Sequence, residues 1–285
     1  MSEAATKILV LGATGLLGQA LMREHGAREV VGLSSQDTDI RDARRVAQVI
    51  RQAQPRWVIL SAAYTNVDGC ETNQELAFAV NTQGASNVAE AARDAGAQLL
   101  FVSTDYVFDG TKTSPYEVSD PRNPLNVYGR TKAEAEERLL EIDSGCCIVR
   151  TSWLFGEGGT CFPRTMLTLA AKQSQISVVN DQRGSPTYVV DLARAIYEMC
   201  DKQAHGIVHA TNAGDCTWFD FAGEIFRQAG AAADVLPTTS DKFPRPAPRP
   251  GYSVLSKASL DSWGVRMPEW QDGLRRYLDA RNAAE

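Results

Sequence analysis

The chain has 285 residues, of which 44% are hydrophobic and 22% are charged, and its net charge of −6 contains no block of either sign. This length is sufficient for one large domain or two smaller ones with a buried core. No basic patch indicates a nucleic-acid-binding surface, and no apolar run approaches the roughly 18 residues of a membrane span. The composition therefore predicts a globular protein that binds neither nucleic acid nor a membrane.

The cysteines and the N-terminus indicate a cellular compartment. The six cysteines show no C-x-x-C pair, and several lie in apolar segments, where Cys serves as a small buried residue. The N-terminus leads from Met1 directly into an apolar strand without a signal-peptide pattern. We therefore expect a reduced, cytoplasmic protein. With only three histidines, no metal site is predicted.

A βαβ unit with a glycine-rich turn opens the chain, over residues 7–33. In such a turn, Gly12 and Gly15 let the backbone approach a pyrophosphate, whose charge the N-terminus of the next helix favours. Gly18 lets that helix pack closely on the strand. Because the turn comes directly after the first apolar run, it predicts a dinucleotide-binding site.

Apolar strands alternate with helices up to about residue 150, which predicts an α/β fold with a doubly wound, parallel Rossmann-type sheet. The predicted strands are 7–11, 29–33, 57–60, 98–102, 146–150 and 206–210. The predicted helices are 16–25, 42–53, 71–94, one that carries Tyr128, 161–173, 188–201, 217–229 and 269–281. We expect an NAD(P)-binding Rossmann domain over 1–150, rejoined by about 188–212, and a smaller α/β substrate-binding lobe over 151–285.

Tyr128 and Lys132 form a Tyr-x-x-x-Lys pattern, which places both side chains on one face of a helix. An ammonium near a phenol lowers the pKa of the Tyr and makes it a proton donor and acceptor. Alone, the pattern more often marks a half-buried Tyr beside a solvated Lys. However, 62–65 and 103–105 each follow a predicted strand, and the carboxyl ends of parallel strands meet at one edge of a sheet. Together these features predict one site.

These features resemble the extended short-chain dehydrogenase/reductase superfamily. A closer similarity spans nearly the whole chain and is carried by 103–108, 124–129, 150–153, 179–187 and 249–251, which look like the dTDP-4-dehydrorhamnose reductase family. The resemblance implies an oxidoreductase that uses NADPH to reduce the 4-keto group of dTDP-4-dehydro-L-rhamnose. The product, dTDP-L-rhamnose, would supply cell-surface polysaccharide.

The resemblance also implies roles for individual residues. Tyr128 would protonate the keto oxygen, Lys132 would hold the nicotinamide ribose, and Thr104 would hydrogen-bond the reacting oxygen or the phenol. The other cofactor-binding residues it implies are Gly12, Gly15, Leu16, Leu17, Gly18, Asp39, Ile40, Ala62, Ala63 and Tyr64. The substrate-binding residues it implies are Thr104, Asp105, Trp153, Asn180, Gln182 and Arg249.

Several of these residues have a purely structural alternative. Trp153 could pack in the core, Asp105 could cap a turn, and Arg249 could belong to a surface turn. Asn180 and Gln182 lie in a stretch rich in turn-forming residues, which could be a structural loop. The chain could also be another nucleotide-sugar 4-ketoreductase or epimerase, or a non-catalytic nucleotide-binding regulatory subunit of the same fold.

Two departures from the family pattern concern the cofactor and the metal. The second strand ends at Ser34 and Ser35, without the acidic residue that often binds the adenine ribose. We therefore expect NADPH to be preferred and NADH to be accepted. Some family members hold Mg²⁺ at a subunit interface, but Ala20 stands where we expect one of its carboxylates. Mg²⁺ and a possible homodimer are thus left open.

Overall fold

The structure is a computed structural model that describes residues 7–284. The prediction about Met1 and a signal peptide lies outside these residues. In chain order the strands are β1 (Lys7–Leu11), β2 (Glu29–Leu33), β3 (Trp57–Leu60), β4 (Gln98–Thr104), β5 (Cys147–Thr151), β6 (Leu154–Phe155), β7 (Gln175–Val179), β8 (Arg183–Gly184), β9 (Thr187–Tyr188), β10 (Gly206–His209), β11 (Cys216–Thr217) and β12 (Asp234–Thr238). The helices are α1 (Leu16–Arg23), α2 (Ala43–Ala53), α3 (Val67–Thr72), α4 (Gln74–Phe78), α5 (Ala85–Asp94), α6 (Val127–Ile142), α7 (Phe162–Ala170), α8 (Val189–Asp201), α9 (Trp218–Ala229), α10 (Ala258–Ser262) and α11 (Trp270–Ala284).

Six parallel strands form the central sheet, in the order β2-β1-β3-β4-β5-β10. The central strands are apolar because helices cover both faces of the sheet. Ile8 and Val10 pack with α1 and α8, whereas Leu9 and Leu11 pack with α2, α5 and α6. The strand order reverses at β1, since the chain leaves it for β2 and returns across it to β3. Ligands bind in the crevice that such a reversal opens.

The second lobe has an apolar core of its own, formed by α7, α9 and α11 against a two-stranded parallel sheet of β7 and β12. The strand prediction missed both β7 and β12. Pro237 lies in β12, which pairs on one side only, and an edge strand tolerates a proline. α8 and β10 return to the central sheet, where β10 pairs with β5.

The helix predicted over 71–94 is interrupted. α3 ends at Thr72, and a π-helical segment, Ala79–Gly84, separates α4 from α5. π-helical turns often occur at functional sites. Here Asn81 lies in that segment, buried, and its amide donates 3.0 Å to Thr131 of α6. The π-helical segment therefore connects α5 to the helix that carries Tyr128.

Two observations concern the environment of the protein. All six cysteines are buried and none is in a disulfide. Within residues 7–284, no helix combines the length and the apolar character needed to cross a membrane.

Candidate active site

A cavity of about 990 Å³ lies at the carboxyl ends of β1, β3, β4 and β5. The sheet supplies one side of it, and residues that precede α7 and begin α9 supply the other. The predicted site residues that line this cavity are Gly12, Gly15, Leu16, Leu17, Gly18, Asp39, Ile40, Ala62, Ala63, Thr104, Asp105, Tyr128, Lys132 and Trp153. Residues predicted from distant parts of the chain thus meet at one place.

The glycine turn has the geometry of a dinucleotide cradle. Gly12 has a φ of +96°, and a Cβ there would lie 2.5 Å from the backbone nitrogen of Ala62. A Cβ on Gly18 would lie 2.1 Å from the carbonyl oxygen of Gly12, so only glycine allows α1 to pack this closely. Gly15 caps α1 and lines the cavity, which leaves the first N–H groups of α1 directed at an anion site. These residues fit a pyrophosphate.

The end of the cavity near Asp39 also contains Ser35, which follows β2, and Arg41, which the sequence did not single out. The Arg41 guanidinium is bonded to the Asp39 carboxylate, at 3.0 Å from Nε to either oxygen. The carboxylate of Asp37 accepts bonds from the N–H and the hydroxyl of Ser34, at 2.8 and 2.6 Å. Asp37 thus binds the residue that follows β2 and does not line the cavity in the described chain, so the absence of an acidic residue directly after β2 stays a prediction about the ribose site.

Tyr128 lies in the first turn of α6, half-buried and facing the cavity. Asn126 caps this helix by accepting the N–H of Gly129 at 2.8 Å. Burial raises the pKa of the Tyr128 phenol above its ordinary value of about 10, and the nearby charge of Asp105 raises it further. Hydrogen bonding with Thr104 acts in the opposite direction. The phenol therefore carries its proton at neutral pH, as a proton donor must.

Lys132 does not have the environment that the sequence predicted. Its side chain is 2% exposed, and Nζ donates to the carbonyl of Val102 at 2.6 Å and lies 3.8 Å from the ring centroid of Phe101. Burial lowers the pKa of Lys132 to about 7, although the charge of Glu136 opposes this. The lowered Tyr128 pKa expected from the Tyr-x-x-x-Lys pattern is therefore wrong for this structure. Spacing placed both groups on one face, but desolvation dominates both pKa values.

A buried ion pair lies next to the part of the cavity that contains Thr104 and Lys132. Arg150 of β5 binds Glu136 of α6 in a bidentate geometry, at 2.9 and 2.6 Å, and both side chains are at most 1% exposed. The hydroxyl of Ser103 donates to the same carboxylate at 2.5 Å. This network fixes the end of β4, and hence Thr104, relative to α6. The sequence carries no local signal for it, because the three partners come from three elements.

The side of the cavity opposite the sheet is aromatic. Trp153 has a φ of +48°, a left-handed conformation that costs a bulky residue about 1–3 kcal/mol. Its indole is stacked on that of Trp218, with centroids 3.6 Å apart and an interplanar angle of 8°. Phe162 packs on Trp218 at 4.5 Å, and all three line the cavity. Neither Trp218 nor Phe162 was predicted.

The chain matches the family described as the RmlD substrate binding domain over residues 6–283. The chain belongs to the RmlD family. The sequence is 40% identical to a spore coat polysaccharide biosynthesis protein, SpsK, of Bacillus subtilis, with 98% of this chain and 99% of SpsK covered. It is 38% identical to a protein of Mycobacterium tuberculosis named dTDP-4-dehydrorhamnose reductase, over 98% of this chain and 95% of that one.

A solved structure of the same family is closely similar. It is that of a dTDP-4-dehydrorhamnose reductase from Bacillus anthracis in complex with NADP, with a TM-score of 0.94 and 38% identity. The similarity covers 97% of this chain and 100% of that one. The predicted resemblance, the Rossmann-type fold class and the assignment as an oxidoreductase are confirmed.

Four of the residues that the RmlD-family resemblance implied lie outside the cavity lining, as far as residues 7–284 show. The first of them is Tyr64, whose N–H donates to the side-chain oxygen of Asn81 and whose carbonyl accepts from the Asn81 amide nitrogen. Asn180 accepts the hydroxyl of Thr217 at 2.7 Å, and Gln182 donates to Ser240 at 2.8 Å. These contacts match the structural alternative for this loop.

Arg249, the fourth of these residues, is bonded to Asp68 at 2.7 Å. Asp68 also binds Arg245, and its pKa is lowered to about 2, chiefly by the Arg249 guanidinium. Arg245 lines the cavity, whereas Arg249 does not. The two arginines are close in sequence, and only their contacts distinguish them.

No group of three or more His, Cys, Asp or Glu side chains within residues 7–284 could hold a metal ion.

Asp105 is 2% exposed, and its Oδ2 has no hydrogen-bond partner among the described residues, although Oδ1 accepts the Thr104 hydroxyl at 3.0 Å. Burial raises its pKa to about 6. Between pH 4 and 6 the folded state then binds more protons than the unfolded state, so stability falls as pH rises through this range. We expect Asp105→Asn to raise the free energy of unfolding above pH 6 by about 3 kcal/mol, and by nothing below pH 4.

Urea unfolding of the Asp105→Asn variant between pH 4 and 8 measures this difference. Asp109→Asn provides a control of opposite sign, because bonds from Asn123 and Thr111 lower the pKa of Asp109. That variant should lose stability at neutral pH. Equal stabilities of Asp105→Asn and the parent at pH 8 would contradict the energetic cost assigned to the buried Asp105 carboxylate.

Proposed function

We propose that the chain reduces the 4-keto group of dTDP-4-dehydro-L-rhamnose to dTDP-L-rhamnose, with NADPH as the reductant. The observation that carries this proposal is the single cavity that contains the glycine turn, Thr104, Tyr128, Lys132 and the Trp153 indole. The near full-length relative named dTDP-4-dehydrorhamnose reductase supports the choice of sugar. The NADP-bound structure from Bacillus anthracis supports the choice of cofactor.

The mechanism follows from the protonation states of the site. NADPH supplies the hydride, and the glycine turn with the N-terminus of α1 would hold its pyrophosphate. Tyr128 donates the phenolic proton to the keto oxygen as negative charge develops there. The raised pKa of the phenol keeps that proton available at neutral pH. The Thr104 hydroxyl orients the phenol, and Lys132 would contact the nicotinamide ribose.

The cofactor preference is part of the proposal. We expect NADPH to be used better than NADH, because the guanidinium of Arg41 and the hydroxyl of Ser35 line the adenine end and are suitable ligands for a 2′-phosphate. The carboxylates of Asp37 and Asp39 nearby would favour an unphosphorylated ribose, so NADH should still be accepted. A cytoplasmic location and a homodimer stay predictions from the sequence and the family.

One experiment tests this function against its alternatives. The protein is incubated with dTDP-4-dehydro-L-rhamnose and NADPH, absorbance at 340 nm is followed, and the product is identified by NMR. We expect stoichiometric oxidation of NADPH, formation of dTDP-L-rhamnose, and a lower kcat/KM with NADH. A 6-deoxy-L-talose product would refute the assigned face of reduction. Sugar conversion without net oxidation would indicate an epimerase, and no conversion would indicate a regulatory subunit.

A further inference from the structure

The second lobe contributes a proline-rich segment that the proposed mechanism does not use. Residues 244–250 read Pro-Arg-Pro-Ala-Pro-Arg-Pro, a strict alternation of proline with another residue. Each proline fixes its own φ at about −65° and keeps the residue before it out of the helical region. The segment forms neither helix nor strand. We call it the strap, a stiff extended chain that loses little conformational freedom when it is held in place.

The carboxylate of Asp68, on α3, binds the strap. Its Oδ1 accepts the guanidinium of Arg249 at 2.7 Å and the N–H of Ala247 at 3.2 Å. Its Oδ2 accepts Nε of Arg245 at 3.0 Å. Hydrogen bonds of this kind, between charged partners, are about twice as strong as neutral ones. One carboxylate therefore binds every residue of the strap that is not a proline.

A second side chain joins the strap to the helix that carries Tyr128. The amide of Asn126 is 2% exposed, and its nitrogen donates to the carbonyl of Pro248 at 2.8 Å. The oxygen of the same amide accepts the N–H of Gly129 at 2.8 Å and so caps α6. Asn126 thus holds the strap and the first turn of α6 together.

The strap brings a cation to the cavity, because Arg245 is one of the lining residues. Asp68 occupies Nε and one terminal nitrogen of this guanidinium, but the side chain is 61% exposed. Its other N–H groups are therefore available to an anionic ligand. Among the described residues, the other cations of the lining are Arg41, which is bonded to Asp39, and Lys132, which would contact the cofactor. This leaves Arg245 for the substrate.

We propose that Asp68 and Asn126 are positioning residues that dock the strap and thereby hold Arg245 at the substrate end of the cavity. The inference rests on the proposed function, whose substrate, a nucleoside diphosphate sugar, carries an anion of the kind that a guanidinium binds. Neither Asp68 nor Asn126 lines the cavity within residues 7–284, so both act through the strap. Because the strap is stiff, holding it in advance lowers the ordering cost of substrate binding.

A purely structural role for these residues has different consequences. If Asn126 served only as a cap, its loss would disturb Tyr128 and would lower kcat with KM unchanged. If Asp68 formed only surface ion pairs, its loss would have little effect on any property. The proposal instead predicts release of the strap, weaker binding of the substrate and unchanged binding of NADPH, since the glycine turn lies on other elements.

Limited digestion with trypsin measures the docking of the strap without any substrate. Trypsin does not cleave before proline, so within residues 228–256 the one susceptible bond is Lys242–Phe243, directly before the strap. Both residues are exposed, but cleavage requires this part of the chain to detach. We expect this bond to be cleaved about tenfold faster in Asp68→Asn and in Asn126→Ser than in the parent.

Two comparisons make this effect specific to the strap. Serine caps a helix about as well as asparagine does, so Asn126→Ser keeps the start of α6 and loses the bond to the strap. Asp272→Asn is the matched control for Asp68→Asn. Asp272 also binds two arginines, Arg275 and Arg276, and lies outside the cavity lining in the described chain. This control should behave as the parent in every measurement.

Ligand binding then tests the consequence for the substrate. Calorimetry gives the dissociation constants of NADPH and dTDP-L-rhamnose, and turnover of the keto sugar gives KM and kcat. We expect Asp68→Asn and Asn126→Ser to raise KM and the dissociation constant of dTDP-L-rhamnose about tenfold. Both kcat and the dissociation constant of NADPH should stay within about threefold of the parent values. Arg245→Ala should cause the same loss of affinity, and adding Asp68→Asn to it should cause little more.

The outcomes separate the inference from the proposed function. A parental rate of cleavage in either variant would overturn the inference, as would faster cleavage with unchanged affinity for dTDP-L-rhamnose. A parent that binds dTDP-L-rhamnose but reduces no keto sugar would refute the proposed function alone. A parent that does not bind dTDP-L-rhamnose would refute both.

Discussion

Replacing Tyr128 with Phe should lower kcat by about a thousandfold while the dissociation constant of NADPH stays within about twofold of the parent value. The substitution removes the phenolic hydroxyl, with its proton and its hydrogen bond to Thr104, and leaves the ring. The ring keeps its packing beside Cys70, Ala77 and Val127, and its edge-to-face contact with Tyr106. Single-turnover reduction of the keto sugar measures the chemical step, and quenching of protein fluorescence measures NADPH binding.

Two comparison variants make this result specific. Thr104→Val removes the hydroxyl that orients the phenol, so its loss of kcat should be smaller than that of Tyr128→Phe. Tyr252→Phe removes a hydroxyl outside the cavity lining in the described chain and should have no effect. If Tyr128→Phe keeps more than a few per cent of the parent kcat, Tyr128 is not the general acid.

Lys132→Met should make the protein more stable and less active. Removal of the ammonium should lower kcat/KM about a hundredfold or more and weaken NADPH binding, because the proposed ribose contact is lost. The side chain is almost completely buried, and burial lowers its pKa to about 7 from an unfolded value of about 10.4. Near pH 7 and below, the folded protein therefore holds an ammonium that would be more stable in water, and Met removes that cost.

The gain in stability of Lys132→Met should depend on pH, because it follows from the lowered pKa of Lys132. Between pH 7 and 10 the unfolded chain binds more protons than the folded chain at Lys132, so the stability of the parent rises with pH. The advantage of Lys132→Met should be largest at pH 7 and should disappear near pH 10. Thermal unfolding across this range measures it, with the exposed Lys202→Met as a control. A variant that loses both stability and activity would show that Lys132 acts mainly in packing.

Burial in the same site has opposite consequences for Tyr128 and for Lys132. Burial keeps the proton on Tyr128 and disfavours the charge on Lys132. The charge of Glu136, which lies on the same helix and is paired with Arg150, partly opposes the lowering of the Lys132 pKa. The site thus holds an energetically unfavourable ammonium at the position where a cofactor ribose would contact it. The folding stability lost by burying this ammonium is the expected cost of function.

The sequence by itself determined the features that depend on neighbours along the chain. The apolar run of β1, the turn at Gly12 and Gly18, and the helix after it follow from strand composition and from close approaches that only glycine permits. The alternation of strands and helices determined the parallel sheet, because apolar strands need cover on both faces. Tyr128 and Lys132 share a helix face because their spacing is close to one turn.

Only the tertiary structure decided the features that depend on partners distant in sequence. The pKa values of Tyr128 and Lys132 follow from burial, which no local pattern specifies. Both Arg245 and Arg249 bind Asp68 of α3, but only Arg245 lines the cavity. The stacking of Trp153 on Trp218 depends on the pairing of β8 with β11, two-residue strands that are too short for any periodicity to reveal.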